Sequence, residues 1–155
     1  MENLRMIRLP HNVQPNMGTG VYFKSWTGQV SGTPPTGGGG GTQQHSGRVH
    51  NVTVQNVNVD QVDLPLHVYQ TNGGSSSQTP STLKFSDLTF EGWTGNTTGN
   101  TLVELVCSPA VNCTDIAFNS FNVGTANGSA ARFICQNTVD ISGLQVAPCN
   151  ATGQA

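Results

Sequence analysis

Short runs of alternating apolar and polar residues recur along the chain with a loose period. Four longer runs share this pattern: residues 51–59, 82–90, 114–123 and 139–146. Shorter runs lie between them, at residues 65–70, 101–107 and 132–135. Aligning Val52, Leu83, Ile116 and Ile141 gives steps of about 31, 33 and 25 residues by subtraction of their numbers. Two or three brief strands followed by a variable loop are typical of a solenoid whose coils stack into one continuous core.

The fold class follows from residue types that favour strands and turns. Val, Thr, Phe and Ile recur between Gly, Asn, Ser and Pro, and no stretch has a convincing helical period, so the sequence predicts an all-β protein. An antiparallel sandwich would show similar alternation, and the period alone leaves that alternative open. No Asn-Gly or Asp-Gly pair is placed as a tight turn between two long alternating strands, which favours a parallel β-helix.

Two segments are predicted to be loops that face solvent. Residues 32–47 contain five consecutive glycines, and residues 72–81 are rich in Gly, Ser, Gln and Pro. Glycine supplies no side chain to a core and raises the entropic cost of ordering the backbone, so neither segment suits a strand interior.

The charge pattern excludes several classes of partner. Charged residues make up only 9% of the chain, the net charge is -2, and the six Lys and Arg residues are scattered, so we expect no nucleic-acid partner. No apolar run is long enough to span a bilayer, so we expect no membrane partner. No histidine completes a zinc site with the cysteines, and the sequence predicts neither a metal nor another cofactor.

Four cysteines and five Asn-x-Ser/Thr sequons predict a secreted, glycosylated protein, although composition alone would supply some sequons. The sequons lie at Asn51, Asn96, Asn112, Asn127 and Asn150. The first residues lack the charged and apolar regions of a secretory signal. We therefore expect that the chain is a truncated part of a longer extracellular protein.

Residues 20–28, GVYFKSWTG, resemble a motif of glycoside hydrolase family 28, the polygalacturonases and their exo-acting relatives. That motif typically consists of Gly, a small residue, Arg-Ile-Lys, Thr or Ser, Trp, any residue, and Gly. The matching residues are Gly20, Lys24, Ser25, Trp26 and Gly28. Tyr22 stands where the family has arginine, and Phe23 where it has isoleucine. The resemblance implies that Lys24 binds the carboxylate of a uronic acid and that Tyr22 contacts the sugar.

A second segment, residues 63–72 (DLPLHVYQTN), resembles another family sequence in which a tyrosine two positions after a glutamine faces the cleft. Asn72 occupies that tyrosine position here. His67 and Tyr69 alternate with Leu66 and Val68, so they are predicted to lie on the opposite strand face. We expect His67 and Asn72 near the cleft; for His67, an exposed or hydrogen-bonded structural histidine is the simpler alternative.

The resemblance extends over essentially the whole chain and is strongest to the fungal exo-acting branch, the galacturan 1,4-alpha-galacturonidases, and to rhamnogalacturonan-acting relatives. It implies a right-handed parallel β-helix, of which residues 1–155 form the C-terminal part, and hydrolysis of pectic polysaccharide with inversion. We also expect a monomer. The residues leave three disulfide connectivities open. The resemblance implies the sequential one, Cys107 with Cys113 and Cys135 with Cys149.

Glycosidases of this kind need two carboxylates across the scissile bond. None of the eight Asp and Glu residues lies in the Asn-x-Asp, Asp-Asp or Gly-His-Gly settings of the family. Asp60 and Asp63 come nearest to a pair and are predicted to cap a coil. We therefore expect no catalytic residue here and no turnover by this chain. The alternative function is a non-catalytic carbohydrate-binding or adhesion β-helix.

Overall fold

The structure is a computed structural model that describes residues 1–8, 18–26, 47–72, 80–144 and 149, without the side chains of Trp26, Thr71 and Asn72. These residues form nine strands: β1 (Glu2–Ile7), β2 (Thr19–Trp26), β3 (Arg48–Val62), β4 (Leu64–Asn72), β5 (Lys84–Thr97), β6 (Thr101–Val106), β7 (Cys113–Gly124), β8 (Arg132–Gln136) and β9 (Thr138–Ser142). One short 3₁₀ turn spans Ala126–Gly128. Most of the predicted loops, residues 32–47 and 72–81, lie outside the described residues.

The strands form two parallel sheets, and each coil of the chain contributes one strand to each sheet. The first sheet has the order β1-β3-β5-β7-β9 and the second has the order β2-β4-β6-β8. Every pairing among these strands is parallel. Hairpin connections would have produced antiparallel neighbours. The predicted parallel β-helix is therefore confirmed, and the sandwich alternative is wrong.

The register of the first sheet corrects the alignment made from the sequence. Val52 pairs with Leu88, Leu88 with Ile116, and Ile116 with Ile141. The successive steps are therefore 36, 28 and 25 residues by subtraction of these numbers. Leu83, which the repeat pattern placed in this column, precedes β5 and is wrong as the equivalent of Val52.

Strands β3, β5, β7 and β9 of the first sheet each contain a corner at an equivalent position. Asp87 has a φ of 52°, in the left-handed region that Asn and Asp tolerate better than most residues. A residue in that conformation bends the strand and interrupts its alternation, so the apolar positions before and after it belong to different registers. Equivalent corners in the neighbouring coils lie at Asn51, Asp115 and Asp140.

Apolar residues at equivalent positions of successive coils stack into a continuous core. Phe90 pairs with Phe118, and their rings lie 5.2 Å apart at 27°. Trp93 pairs with Phe121, with the ring centroids 5.4 Å apart at 29°. The buried indole of Trp93 donates a hydrogen bond to the carbonyl oxygen of Val54 at 3.1 Å. The core is therefore held by repeated contacts between coils, because no single coil encloses its own apolar side chains.

Two disulfide bonds lie towards the C-terminal coils. Cys107, directly after β6, is bonded to Cys113 at the start of β7. Cys135 in β8 is bonded to Cys149. This is the sequential pairing implied by the family resemblance. The first bond links the end of a strand in the second sheet to the start of a strand in the first.

The close approach of neighbouring coils leaves no room for a side chain at Gly95. A Cβ atom on Gly95 would lie 1.9 Å from the carbonyl oxygen of Val59, and Gly95 has a φ of 105°. We expect Gly95→Ala to lower the free energy of unfolding by about 3 kcal/mol or more, since backbone must move. Gly128→Ala is the control: its φ is 67°, but no atom lies within 4 Å of the added Cβ, so the cost should be about 1 kcal/mol. Urea unfolding measures both, and equal losses would contradict the clash.

Candidate functional site

The outward side chains of the second sheet form two columns across its four strands. Strand register puts the outward residues of each coil beside those of the next. One column contains Tyr22, His67, Glu104 and Ile134, and the other contains Lys24, Tyr69, Val106 and Gln136. We call these eight residues the sheet face. The intervening Leu66 and Val68 are fully buried, as the alternation in this strand predicts.

Aromatic rings stack along one end of the sheet face. The Tyr22 and His67 rings are nearly parallel, at 3°, with centroids 4.7 Å apart. The His67 and Tyr69 rings lie 5.2 Å apart and are tilted by 32°. The Nζ atom of Lys24 lies 5.6 Å from the centroid of the Tyr22 ring, within the range of a cation–π interaction. These contacts hold an ammonium group, a phenol and an imidazole beside one another.

His67 connects this aromatic group to a carboxylate. Its Nε2 atom lies 3.8 Å from Oε2 of Glu104, and this buried nitrogen has no hydrogen-bond partner among the residues that the structure describes. Burial lowers the pKa of His67, Glu104 opposes this change, and Lys24 adds to it. The imidazole is therefore neutral at pH 7. It does not neutralise the negative charge of Glu104.

Tyr22 offers a hydrogen-bond donor at the surface. Its side chain is 42% exposed, and burial of the remainder raises its pKa, with Tyr69 and Glu104 acting in the same direction. The phenol therefore stays protonated at neutral pH. Lys24 is also exposed. Together they present a cation and a neutral donor to solvent, which suits an anionic and hydroxylated ligand.

A buried hydrogen-bond network lies beneath the strand that carries Lys24. Gln70 is 0% exposed, and its Nε2 donates to Oγ of Ser25 at 3.2 Å and to the carbonyl oxygen of Leu83 at 2.6 Å. Its Oε1 accepts a hydrogen bond from the backbone N–H of Ser108 at 3.2 Å. Ser25 directly follows Lys24, so Gln70 fixes the backbone at the candidate ligand-binding lysine.

The structure brings together three of the four residues predicted for the cleft: Lys24, Tyr22 and His67. Asn72 ends β4 opposite Trp26, but its side chain lies outside the description. The sequence did not predict that Glu104 lies beside His67 in this group of side chains. The alternation of β6 shows that Glu104 points outward, but only the register between coils shows that it lies beside His67.

Asp60 and Asp63 serve a structural purpose. Asp60 pairs with Arg5 at 3.3 Å. Asp63 accepts a hydrogen bond from Arg8 at 2.7 Å and another from the hydroxyl of Thr98. These contacts tie successive coils together and agree with the interpretation of both residues as coil caps.

The sequon asparagines can be located in four of five cases. Asn51, Asn96, Asn112 and Asn127 are exposed, and Asn150 lies outside the described residues. Exposure is required for a glycan on the folded protein, so glycosylation at these four positions stays a prediction.

Over the described ranges, no group of three or more His, Cys, Asp or Glu side chains is arranged to bind a metal ion. No helix within them has the length and apolar character needed to cross a bilayer.

Comparison with known proteins identifies the family of the chain. Residues 41–148 match the model of glycosyl hydrolases family 28. The chain therefore belongs to this family of glycoside hydrolases. No solved structure significantly matches the chain.

Relatives from fungi and plants resemble the chain over most of its length. An Aspergillus niger protein provisionally named galacturan 1,4-alpha-galacturonidase A is 33% identical, and the alignment covers 96% of this chain but 36% of that protein. An Arabidopsis thaliana exopolygalacturonase is 29% identical over 88% of this chain and 28% of its own length. The Aspergillus niger alpha-L-rhamnosidase rgxB is 30% identical over 76% and 28%. The chain thus spans about a third of these relatives.

The lowered pKa of His67 predicts a pH dependence of stability. Because the folded pKa is below the unfolded value of 6.5, the unfolded state binds more protons between the two values. The free energy of unfolding is therefore highest above the unfolded-state pKa of 6.5, and it should fall as the pH is lowered from 7.5 to 5.5. His67→Phe, which keeps a ring beside Tyr22, should reduce this fall.

The control is His50→Phe, at an exposed histidine in the first sheet. It should retain the pH dependence of the unmodified protein in urea unfolding. An unchanged pH dependence in His67→Phe would show that His67 is not the group responsible.

Proposed function

We propose that this chain is the C-terminal, substrate-binding part of the β-helix of a secreted, monomeric pectin-degrading glycosidase of the exo-acting polygalacturonase type. The sheet face is its contact surface for a uronic-acid-containing glycan. The observation that carries this proposal is the grouping of Lys24, Tyr22 and His67 on one outward face. The two disulfide bonds and the exposed sequons support the extracellular location.

Lys24 supplies the charge that recognises a uronate. An ammonium group forms strong, charge-assisted hydrogen bonds with a carboxylate. The phenol of Tyr22 donates to a second oxygen of the same sugar, in the place where related enzymes offer an arginine. Loss of that arginine reduces the number of donors, so this site depends more on ring contact and less on bidentate binding of the carboxylate.

The sheet also matches the repeat of a polysaccharide. Neighbouring strands are ~4.8 Å apart, which is close to the length of one pyranose unit. A glycan that crosses the strands therefore meets one coil for each sugar. Tyr22 and Lys24 lie on β2 at one end of the described sheet, and the following coils contact the units next to the bound uronate.

The acid and base of hydrolysis are not assigned to this face. Hydrolysis with inversion uses two carboxyl groups roughly 6.5–9.5 Å apart. Among the eight residues of the sheet face, Glu104 is the only carboxylate. We therefore assign the chain a binding role and no catalytic residue.

The names of the relatives support the substrate class. The fungal and plant relatives are named for galacturonan, which supports hydrolysis of alpha-1,4-galacturonosyl linkages by the longer protein. The rhamnosidase name, together with the resemblance to rhamnogalacturonan-acting relatives, favours a second candidate, a glycan in which rhamnose alternates with galacturonic acid. Both substrates contain the uronate that Lys24 requires.

We predict that Lys24→Gln weakens binding of oligogalacturonides at least tenfold, since about 1.4 kcal/mol of charge-assisted hydrogen bonding is lost. Calorimetric titration measures the affinity. Lys84→Gln is the matched control, because Lys84 begins β5 in the other sheet and should have no effect. Carboxyl-reduced oligosaccharides should bind weakly and should not distinguish Lys24→Gln from the unmodified protein. Equal affinities of Lys24→Gln and the unmodified protein for the acidic probe would exclude Lys24 as its partner.

We predict that the chain alone releases no reducing ends from polygalacturonate, because the sheet face lacks a second carboxylate. A reducing-sugar assay with an active polygalacturonase as positive control measures this. Hydrolysis that is abolished by Glu104→Gln would contradict the binding role and identify Glu104 as a catalytic residue.

A further inference from the structure

The sheet face changes in charge from one coil to the next. β2 presents the ammonium group of Lys24, and β6 presents the carboxylate of Glu104. On β4, between them, His67 is a neutral imidazole at pH 7 because burial lowers its pKa. β8 presents Ile134 and Gln136, neither of which is charged. A ligand that crosses these strands therefore meets a cation first and an anion two strands later.

Two strand steps separate these charges across the sheet, and Glu104 is also displaced from the Lys24 column by two residues along the strand. Two strand steps amount to roughly 10 Å, about the length of a disaccharide. A glycan that begins with a uronate on Lys24 and crosses the strands obliquely, towards the column of Tyr22 and His67, therefore places the second unit beyond the uronate against Glu104. If that second unit also had a carboxylate, two like charges would meet at the partly enclosed Glu104, whose side chain is 30% exposed.

The surroundings of Glu104 suit an uncharged sugar. Its two carboxylate oxygens accept hydrogen bonds from sugar hydroxyls. The neighbouring outward residues, Ile134 and Val106, are half-buried and offer apolar surface to a sugar ring or methyl group. The Nε2 atom of His67, 3.8 Å from Oε2, occupies the side of the carboxylate that faces the preceding coil.

The cation Arg132 also lies on this sheet, but at another position along the strand. It begins β8 and pairs with Thr101, whereas Glu104 pairs with Ile134 two residues later. Arg132 is exposed, and it lies two residues from Ile134 on the side away from Gln136 and the Lys24 column. A uronate held by Arg132 would be the competing arrangement, and the experiment includes it.

We propose that Glu104 is a specificity-determining residue. Its carboxylate selects an uncharged, hydroxyl-bearing sugar at the position two units from the uronate bound by Lys24. This inference rests on the proposed function of the sheet face. It favours a glycan that alternates acidic and neutral units over a continuous polyuronate, and it assigns the discrimination to one carboxylate.

The test compares two probes, an oligogalacturonide and an oligosaccharide that alternates galacturonic acid with rhamnose. The unmodified protein should bind the alternating probe more tightly. Glu104→Gln keeps the shape of the side chain and removes its charge, so it should raise the affinity for the oligogalacturonide relative to the alternating probe about tenfold. The ratio of the two affinities is independent of the fraction of folded protein. The matched control is Glu91→Gln, an exposed residue of β5 in the other sheet, which should leave the ratio unchanged.

The outcomes separate this inference from the proposed function. If Lys24→Gln weakens both probes but Glu104→Gln leaves their ratio unchanged, the role of Glu104 is refuted and the uronate site stands. If Arg132→Gln weakens the oligogalacturonide as strongly as Lys24→Gln and spares the alternating probe, a second uronate binds Arg132 and the inference is also refuted. Binding of neither probe by the unmodified protein would refute both the inference and the proposed function.

Discussion

The backbone hydrogen bonding between parallel strands of successive coils is the interaction on which the rest of this structure depends. Each strand pairs in register with its equivalent in the next coil, so residues at equivalent positions stand one above another. Inside the solenoid this produces stacks of apolar side chains, such as Phe90 on Phe118. Outside it produces columns of polar and aromatic side chains. The same ladder therefore determines both the core and the ligand-facing surface.

The candidate site is a direct result of this stacking. Tyr22 and His67 are separated by 45 positions in the chain by subtraction of their numbers, yet their rings are parallel because β2 and β4 are neighbours. The ring contact with His67 holds the phenol of Tyr22 at the position where the family motif has arginine. Beneath the face, Gln70 connects Ser25 to Ser108 and so links the lysine-bearing strand to the loop closed by the first disulfide bond.

Much of the fold could be predicted from the sequence, because alternation within a strand is a local property. The predicted runs correspond to β3 through β9, with ends that differ by up to seven residues. The register of β5 could not be predicted from alternation alone, because Leu83, one residue before β5, fits the same apolar pattern as Leu88 and the loops differ in length.

The same limitation applies to the site. Lys24 and Tyr22 were found because they lie within one short motif. Glu104 has no local signal of this kind, and only its register with His67 reveals the contact. Side chains that meet across coils are identified by the three-dimensional pairing, whereas side chains that meet within a strand are identified by spacing.

The unequal steps between coils have a consequence for how such proteins diversify. Successive coils of the first sheet take 36, 28 and 25 residues, as the pairing of Val52, Leu88, Ile116 and Ile141 shows, yet the paired strands keep one pitch. The differences in length are absorbed between the strands. An insertion or deletion there alters what surrounds the columns of side chains without changing the spacing within them. Loops of such a scaffold can therefore change in length and sequence around an unchanged sheet surface. Substrate preference can then evolve while the side chains proposed to contact the first sugar keep their positions.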